Sequence, residues 1–281
     1  MPPRDAITSP SNPHIRAMAR LRSAGARRET GLAIVDGRRE IERAAKAGVE
    51  IVELFVAADE ADRPAEAWIA EIASRGATVT HLAERVLERI AFGERNEGAV
   101  AVVRWRGTLL EETARSTGGA FFRADAPLLV VEGVEKPGNL GAIIRTADAA
   151  GLAGVIAAGG QTDVANPACI RASLGTVFSV PVAEATTTEA IAWCAAARRH
   201  VVAATPTGSR AWHEGRLAGP AAIVLGSEAH GLSQAWNDAA ASGEIDLETI
   251  RLPMLGLADS LNVSATAAVL AYESLRQQAR R

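Results

Sequence analysis

The feature that most constrains the fold of this chain is the alternation of short apolar runs with helical patterns in residues 127–281. Apolar runs bounded by turn residues are typical of buried strands, and strands that alternate with helices indicate a parallel α/β sheet. The predicted strands are 128–131, 154–158, 180–182, 201–205, 221–226 and 250–253. The predicted helices are 139–150, 167–174, 189–199, 233–240 and 263–277.

Residues 1–105 show a shorter version of the same alternation, which indicates a second, smaller α/β domain. The predicted helices there are 14–28, 38–47, 64–74 and 83–90, and the predicted strands are 32–35, 51–56, 78–81 and 98–105. Residues 106–126 are rich in glycine and polar residues and break the pattern. A chain of 281 residues is long enough for two domains. We therefore predict domains 1–105 and 127–281, joined by a linker at 106–126.

The charge balance argues against a protein that coats nucleic acid by bulk charge. The chain carries 30 basic and 33 acidic residues, a formal net charge of −3. The distribution is uneven, because residues 1–28 contain six arginines and a single acid, Asp5, for a local net charge of +5. Arginine suits phosphate recognition because its planar fork donates hydrogen bonds in pairs. This cluster is either a local nucleic-acid contact or the solvated face of a helix.

Several classes of protein are disfavoured by what the sequence lacks. The two cysteines form no CxxC and the five histidines show no metal-ligand spacing, so we expect reduced thiols and no metal site. The N-terminus has no apolar run typical of a signal peptide, and no apolar stretch reaches the roughly 18 residues of a membrane span. We therefore expect a cytoplasmic protein that does not enter a membrane.

Three segments of the predicted second domain each follow an apolar strand: 132–151, 225–233 and 252–274. Ligands of open α/β sheets bind outside the carboxyl ends of the strands, so these loops should converge on one site. The first contains Gly138-Asn139-Leu140-Gly141 at a helix start, where free N–H groups suit an anion. It matches neither the dinucleotide fingerprint nor the P-loop fingerprint.

The other two segments carry polar side chains that have both a structural and a functional interpretation. Glu228 lies in a loop bracketed by Gly226 and Gly231, which could be an ordinary turn. Ser260 and Asn262 precede the last helix, where either type of residue could act only as a cap. Two hydroxyl groups and an amide within residues 260–264 exceed what capping requires, so these residues are candidates for a binding site.

In this order and spacing, the three segments resemble the three motifs of the SpoU (TrmH) family of RNA ribose 2′-O-methyltransferases, within the SPOUT superfamily. The matching residues are Asn139-Leu140-Gly141 with Arg145-Thr146, then Gly226-Ser227-Glu228 with Gly231, then Leu252-Pro253-Met254, 260–264 and Tyr272-Glu273. The similarity covers about residues 127–276. Residues 10–105 more loosely resemble the family's N-terminal substrate-binding domain, which has an L30e-like fold. Asp36, Glu132 and Lys136 depart from the residues usual in the family.

The resemblance implies a Rossmann-like SPOUT domain whose last segment threads a trefoil knot, preceded by a smaller L30e-like domain. It also implies a homodimer that binds S-adenosyl-L-methionine mainly through backbone groups. Carried over by position, the cofactor-binding residues are Thr205, Gly226, Leu252 and Leu261. The implied partner is RNA, with ribosomal RNA favoured over transfer RNA because of the separate N-terminal domain.

The residues implied for catalysis are Arg145, Asn139, Glu228, Ser260 and Asn262. The family's arginine, here Arg145, is usually assigned to removing the proton from the ribose hydroxyl. A guanidinium has a pKa above about 12, so Arg145 could instead bind the target phosphate and stabilise developing negative charge. The residues that would contact RNA are Arg20, Arg22, Arg27 and Arg28.

Two other classes of function remain as alternatives at this point. One is an RNA-binding protein that keeps the fold without catalysis. The presence of the residues implied for catalysis argues against it: Asn139, Arg145, Glu228 and Asn262. The other is a nucleotide-dependent oxidoreductase of Rossmann type, against which stands the absence of a GxGxxG fingerprint.

Overall fold

The computed structural model of the chain describes residues 6–58, 64–92, 97–105, 107–110, 121–160 and 162–279. The chain divides into two compact units. The first unit comprises Met1–Gly107 and Ala165–Ser179, and the second comprises Thr108–Val164 and Val180–Arg281. Much of the predicted linker, at residue 106 and 111–120, lies outside the described residues. The domain boundaries therefore stay a prediction.

The helices and strands follow the alternation expected from the sequence. The described helices are α1 Pro13–Arg20, α2 Ala24–Thr30, α3 Arg38–Lys46, α4 Glu66–Ser74, α5 Glu84–Ile90, α6 Pro137–Ala149, α7 Pro167–Ala172, α8 Thr187–Ala196, α9 Ala235–Ala241 and α10 Val263–Gln278. The described strands are β1 Leu32–Asp36, β2 Ile51–Ala57, β3 Thr78–Leu82, β4 Ala99–Arg104, β5 Leu128–Glu132, β6 Val155–Ala158, β7 Val182–Ala185, β8 His200–Ala204, β9 Arg210–Ala211, β10 Ala221–Leu225 and β11 Asp246–Arg251. None of the helices in this part of the chain is long and apolar enough to cross a membrane.

The first unit contains a four-stranded mixed sheet in the order β1-β4-β2-β3. β4 pairs antiparallel with both β1 and β2, and β2 pairs parallel with β3. Apolar side chains of the sheet, such as Phe55 and Val100, pack with Ile15 of α1 and Leu87 of α5 in one buried core. The segment 165–179, which carries α7, belongs to this unit although it lies between β6 and β7 in the sequence.

The prediction of one helix over 14–28 is wrong, because the chain forms two helices there. Asn12 caps α1 by accepting a hydrogen bond from the backbone N–H of His14 at 2.9 Å, and α1 ends at Arg20. Ser23 then caps α2 by accepting from the N–H of Ala26 at 3.3 Å. A hydroxyl group that satisfies a free N–H starts a new helix, so local capping overrides the helical spacing of the apolar residues.

The second unit contains a seven-stranded sheet in the order β7-β6-β5-β10-β8-β11-β9, in which all pairs are parallel. The residues of β5 and β10 are buried throughout, as expected for strands covered on both faces. The predicted strands 180–182 and 250–253 correspond to β7 and β11 with shifted ends. The two-residue strand β9 was too short for a pattern of alternation to reveal.

A buried carboxyl group joins the segment 165–179 to β1 within the first unit. The Oδ2 atom of Asp36 accepts hydrogen bonds from the N–H of Phe92 at 2.6 Å and from Nη1 of Arg171 at 3.1 Å. Arg171 also donates to the carbonyl oxygen of Phe92. Burial raises the pKa of Asp36 to about 6, although the Phe92 N–H and the Arg171 guanidinium act to lower it. Folding therefore favours the protonated carboxyl group.

This raised pKa predicts a pH dependence of stability that Asp36→Asn should remove. A group with a higher pKa in the folded state contributes stability at low pH, and this contribution is lost as the pH rises from about 4 through about 6. We expect the stability of the wild type relative to Asp36→Asn to fall by on the order of 2–3 kcal/mol between about pH 4 and pH 7. Urea unfolding at several pH values measures this difference.

The exposed Asp148 of α6 provides the control, because Asp148→Asn removes a carboxyl group from a solvated surface. The difference in stability between Asp148→Asn and the wild type should change much less over this pH range than the difference for Asp36→Asn. A constant difference for Asp36→Asn would contradict the prediction.

Candidate active site

The loops that follow β5, β10 and β11 lie at the carboxyl edge of the second unit's sheet. β6 and β7 lie beyond β5 on one side, whereas β8, β11 and β9 lie beyond β10 on the other. A sheet whose strand order reverses in this way opens a crevice at the carboxyl ends of the two central strands, where ligands bind. Asn139 in the first turn of α6, Glu228 in the loop after β10 and Asn262 at the start of α10 lie in this region.

The carboxylate of Glu228 connects the three loops. Its Oε1 atom accepts hydrogen bonds from Nδ2 of Asn139 at 3.2 Å and from Nδ2 of Asn262 at 2.6 Å. The same oxygen accepts from the backbone N–H of Val263 at 3.2 Å. Nδ2 of Asn262 also lies 3.3 Å from Oδ1 of Asn139. The structure thus brings together three of the five side chains predicted for catalysis.

Asn262 has a structural role as well as a place in this cluster. It caps α10, because its Oδ1 atom accepts hydrogen bonds from the backbone N–H of Ser264 at 2.9 Å and from the Ser264 hydroxyl at 2.5 Å. These contacts hold the amide oxygen and leave Nδ2 for Glu228 and Asn139. The capping interpretation and the functional interpretation of Asn262 are therefore compatible.

A cavity of about 210 Å³ opens beside the cluster and is lined by residues of the same loops. The lining includes Gly133, Lys136, Asn139, Ser227, Glu228 and Val263. The ammonium group of Lys136 lies 3.9 Å from Oε2 of Glu228, at the exposed side of the carboxylate. Lys136, which departs from the usual family residue, thus places a positive charge at this cavity.

The loop that carries Glu228 is a tight hairpin. The backbone N–H of Ser227 donates to the carbonyl oxygen of Gly231 at 3.1 Å, and the N–H of Gly231 donates to the carbonyl oxygen of Ser227 at 2.9 Å. A Cβ atom added to Gly226 would lie 2.2 Å from the carbonyl carbon of Gly231. Glycine is therefore required at Gly226 because the two backbone segments approach each other closely.

Three of the four predicted cofactor-binding residues directly follow neighbouring strands. Gly226 follows β10, Thr205 follows β8 and Leu252 follows β11, and these strands are adjacent in the sheet. The N–H of Thr205 donates to the carbonyl oxygen of Ile250 at 2.9 Å, which closes the end of the β8–β11 pair. This edge fits a cofactor that is held by main-chain groups. The fourth residue, Leu261, is exposed just before α10.

Arg145 and Ser260 do not join the cluster. Arg145 is exposed on α6, and no described residue forms a hydrogen bond or ion pair with its guanidinium group. Ser260 is exposed in the loop after β11, and it likewise has no hydrogen-bond partner within the described ranges. The catalytic roles assigned to these two side chains therefore stay predictions.

The four arginines predicted to contact RNA differ in their surroundings. Arg20 and Arg28 are exposed, and Arg20 forms only a long ion pair of 3.9 Å with the equally exposed Glu29. Arg22 donates to the carbonyl oxygen of Ala91. Arg27 is 5% exposed, and its Nη1 atom donates at 2.8 Å to the carbonyl oxygens of Leu21 and Arg22. Burial and these bonds favour a structural role for Arg27.

Sequence reasoning placed Glu132 in the first motif segment, as a departure from the family pattern, and assigned it no role in the site. It ends β5 one residue before Gly133 of the cavity, and its carboxylate is buried. The available signal was an acid at the end of an otherwise apolar strand. Where the described residues are concerned, no group of three or more His, Cys, Asp or Glu side chains could hold a metal ion.

Comparisons with known proteins agree with this arrangement. The model of the SpoU rRNA Methylase family matches residues 126–272. The chain belongs to this family. The model of the MRM3-like substrate binding domain matches residues 12–101. The 23S rRNA (guanosine-2′-O-)-methyltransferase RlmB of Bordetella pertussis is 31% identical over 238 residues, which cover 81% of this chain and 90% of that protein.

Solved structures of SpoU-type enzymes are similar over nearly the whole chain. A crystal structure of an RNA 2′-O ribose methyltransferase has a TM-score of 0.81 and 36% identity, and the match covers 98% of this chain and 99% of the other. The SpoU methyltransferase AviRb from Streptomyces viridochromogenes, in complex with AdoMet, has a TM-score of 0.80 and 27% identity over 96% of this chain and 100% of the other. The predicted family and the predicted α/β class with an N-terminal substrate-binding domain are confirmed. The trefoil knot stays a prediction.

The close approach at Gly226 predicts that Gly226→Ala weakens S-adenosylmethionine binding. The added methyl group must push the Gly231 backbone away, and overpacking of this kind costs about 1–3 kcal/mol. We expect a loss of affinity of about tenfold or more in isothermal titration calorimetry. Gly138→Ala is the matched control, because a Cβ atom there meets nothing within 4 Å. Equal affinities for the two variants would contradict the assignment of Gly226.

Proposed function

We propose that this protein is an S-adenosylmethionine-dependent RNA 2′-O-methyltransferase that modifies ribosomal RNA. The observation that carries this proposal is the Asn139–Glu228–Asn262 cluster at the carboxyl edge of a parallel sheet, in a chain of the SpoU family. The RlmB relative is named as an enzyme of 23S rRNA, which supports ribosomal RNA as the substrate. The AviRb structure in complex with AdoMet supports the cofactor.

The chain contributes mainly positioning to this reaction. When bound, S-adenosylmethionine would supply a methyl group on a sulfonium; the ribose 2′-oxygen would attack that methyl in line, the neutral thioether would leave, and the hydroxyl proton would pass to water. Thr205, Gly226 and Leu252 at the strand ends, with Leu261 just before α10, would hold the cofactor through uncharged groups. Uncharged contacts suit this reaction, because strong stabilisation of a positive charge that disappears in the transition state would raise the barrier. Holding two reactants in near-attack geometry can account for much of the rate.

The polar cluster orients the ribose in this mechanism. Oε1 of Glu228 already accepts three hydrogen bonds, so this oxygen fixes Asn139 and Asn262 and is not free for the substrate. Oε2 faces the exposed Lys136 and the cavity. Ser260 adds a hydroxyl group at the exposed edge of the same loop as Asn262. The ribose hydroxyl would therefore meet amide and hydroxyl groups whose positions are set before it arrives.

Arg145 acts on the RNA from outside this cluster. Its guanidinium is exposed and has no partner among the residues that the structure describes, so it is free to bind an anion. An arginine pairs readily with a phosphate and rarely gives up a proton. We assign Arg145 to fixing the target phosphate and stabilising negative charge that develops on the 2′-oxygen.

This role predicts that Arg145→Ala lowers methyl transfer and leaves cofactor binding unchanged. Loss of one electrostatic donor at a reacting oxygen typically reduces kcat by about 100- to 1000-fold. We expect a reduction of this order with unmodified 23S rRNA transcript and radiolabelled S-adenosylmethionine. Calorimetry should give the same cofactor affinity as the wild type. Transfer at a near wild-type rate would refute the assignment, and Arg198→Ala on the surface of the same unit is the charge-matched control.

The exposed arginines of α1 and α2 form the proposed RNA contact of the first unit. Arg20 and Arg28 are exposed, Arg20 with only its long ion pair to Glu29, and Arg22 is exposed beside them in the turn between the two helices. The match of residues 12–101 to a substrate-binding domain supports this placement. Contacts to phosphate release counterions, so the RNA affinity should fall as salt increases.

Replacing Arg20 and Arg28 with glutamine should flatten the salt dependence of RNA binding. Each lost phosphate contact reduces the slope of log K against log salt by about 0.7–0.9, so we expect a reduction of about 1–2 for the double variant. Filter binding with 23S rRNA transcript between about 50 and 200 mM salt measures it. The control Lys46→Gln with Arg75→Gln removes the same charge from α3 and the end of α4. Equal slopes for both double variants would indicate that the arginine cluster is a solvated surface that does not contact RNA.

We also propose a homodimer, for which one face of α10 supplies the argument. Tyr272 and Leu275 are 53% and 41% exposed, and Leu261, just before the helix, is 41% exposed. Apolar residues continue along α10 at spacings of three and four: Ala265, Ala268, Tyr272 and Leu275. An apolar stripe of this kind is typical of a helix that packs against another helix. A second copy of the chain would cover the stripe that begins beside Asn262.

The substrate is tested by mapping 2′-O-methyl groups in total RNA from a deletion strain and from the same strain complemented with the gene. The proposal expects one lost site in ribosomal RNA that returns on complementation. A lost site in transfer RNA would change the substrate, and no lost site together with bound S-adenosylmethionine would favour a non-catalytic RNA-binding protein. A cytoplasmic location stays a prediction.

A further inference from the structure

One buried carboxyl group of the second unit has no role in the mechanism described above. Glu132 is the last residue of β5 and is 6% exposed. In the described part of the chain no arginine, lysine or histidine forms an ion pair with it. A buried carboxylate without a cation is expensive unless hydrogen bonds compensate for the lost hydration. Such a group is retained where its hydrogen bonds serve the fold or the site.

Four donors surround Glu132, and both of its oxygens are fully used. Oε1 accepts from the hydroxyl of Thr187 at 2.6 Å and from the hydroxyl of Ser233 at 2.7 Å. Oε2 accepts from the backbone N–H of Ser233 at 2.8 Å and from the indole Nε1 of Trp236 at 3.2 Å. Because the carboxylate at its centre is buried, a fully satisfied network of this kind rigidifies the segments that it joins.

The segments joined in this way include both central loops of the candidate site. Thr187 opens α8, whereas Ser233 ends the loop after β10 and Trp236 lies in α9. Ser233 lies two residues after Gly231, which closes the hairpin that carries Glu228. On the other side, Glu132 is followed by Gly133, whose Cβ position would lie 3.4 Å from Cβ of Ser227 in the same hairpin.

We propose that Glu132 is a positioning residue for methyl transfer, which anchors the hairpin 227–231 to the end of β5 so that Glu228 meets Asn139 and Asn262. This inference rests on the proposed function. Asn139 follows β5 and Glu228 follows β10, so their separation depends on how the two loops are held against each other. Glu132 forms that link from inside the fold, without contact to the substrate. A shift of about 1 Å in such a site can reduce the rate by on the order of 100-fold.

The distribution of donors over the two oxygens makes a specific test possible. The two donors at Oε2 are N–H groups, which can only donate, whereas the two at Oε1 are hydroxyls, which can also accept. Glu132→Gln can place its amide oxygen at Oε2 and its NH₂ at Oε1, where the hydroxyls rotate to accept. All four contacts are then kept without the charge. Glu132→Leu keeps a similar volume and removes every acceptor.

The experiment measures kcat and KM with 23S rRNA transcript and S-adenosylmethionine for wild type, Glu132→Gln and Glu132→Leu, below the melting temperature of each. We expect kcat of Glu132→Leu to fall about 10- to 100-fold with KM for the RNA changed by less than about threefold. Glu132→Gln should restore kcat to within about threefold of the wild type. Glu132→Asp, which draws the acceptors back by one methylene, replaces Glu132→Leu if the latter does not fold and should also lower kcat.

A matched control separates positioning from general stability. Glu248 is another buried carboxylate of the same unit, and it bonds to His200, Arg210 and Arg216 instead of to a site loop. Glu248→Leu should lower the melting temperature without lowering kcat at a permissive temperature. The proposal is overturned if kcat falls equally in the Glu248 and Glu132 variants, or if Glu132→Leu keeps the wild-type kcat. Absence of transfer by the wild type would instead reject the proposed function itself.

Discussion

The insertion of β10 between β5 and β8 decides where the chemistry of this chain can lie. Val224 of β10 pairs with Val130 on one side and with Ala203 on the other, so three parallel strands end together. Parallel strands direct all of their carboxyl ends to one edge, and the reversal of strand order between β5 and β10 opens that edge to a ligand. Asn139 and Asn262, 123 residues apart in the sequence, thereby come within 3.3 Å.

The positions of the polar groups at this edge of the sheet depend on the hydrogen bonds of Glu132. The hydrogen bonds of Glu228 are partly exposed, and each such bond contributes only about 0.5–1.5 kcal/mol net, so the cluster alone does not fix its loops. The Glu132 carboxylate and the Trp236 indole are buried, although Ser233 lies at the surface, and a satisfied network around a buried carboxylate is more rigid than an exposed one. Under the two proposals, an exposed carboxylate, Glu228, orients the reacting groups and a buried carboxylate, Glu132, holds the hairpin that carries Glu228.

The sequence predicted this site because the residues that form it follow strongly apolar strands. The runs that became β5 and β10 are buried over their whole length, and their positions fixed where the loops after them would meet. Tertiary contacts were beyond this kind of prediction. The segment 165–179 follows the alternation of the second domain but packs with the first unit, through bonds such as Arg171 to Asp36 that no local pattern reveals.

Charge patterns were the weakest guide to position and function. The arginine cluster of residues 1–28 was predicted from composition, and composition does not separate a solvated arginine from a buried one. Ser23 divides the helix that carries the cluster, and the break turns Arg27 inward to bond the carbonyl oxygens of Leu21 and Arg22 while Arg28 stays in solvent. Adjacent residues of the same type thus have different physical roles, and only burial distinguishes them.

The position of Arg145 on α6 bears on its proposed role in methyl transfer. A helix turns by about 100° and rises about 1.5 Å per residue, so Arg145 lies roughly 240° around α6 from Asn139 and about 9 Å further along the axis. A side chain on a different face of the helix does not share the hydrogen bonds of the Asn139–Glu228–Asn262 cluster, and its exposure agrees with that separation. In the proposed function, the cluster and Arg145 would therefore approach the same target nucleotide from different sides. A ribose at the cluster and a neighbouring phosphate at Arg145 satisfy both, which favours an electrostatic role for the guanidinium over proton removal.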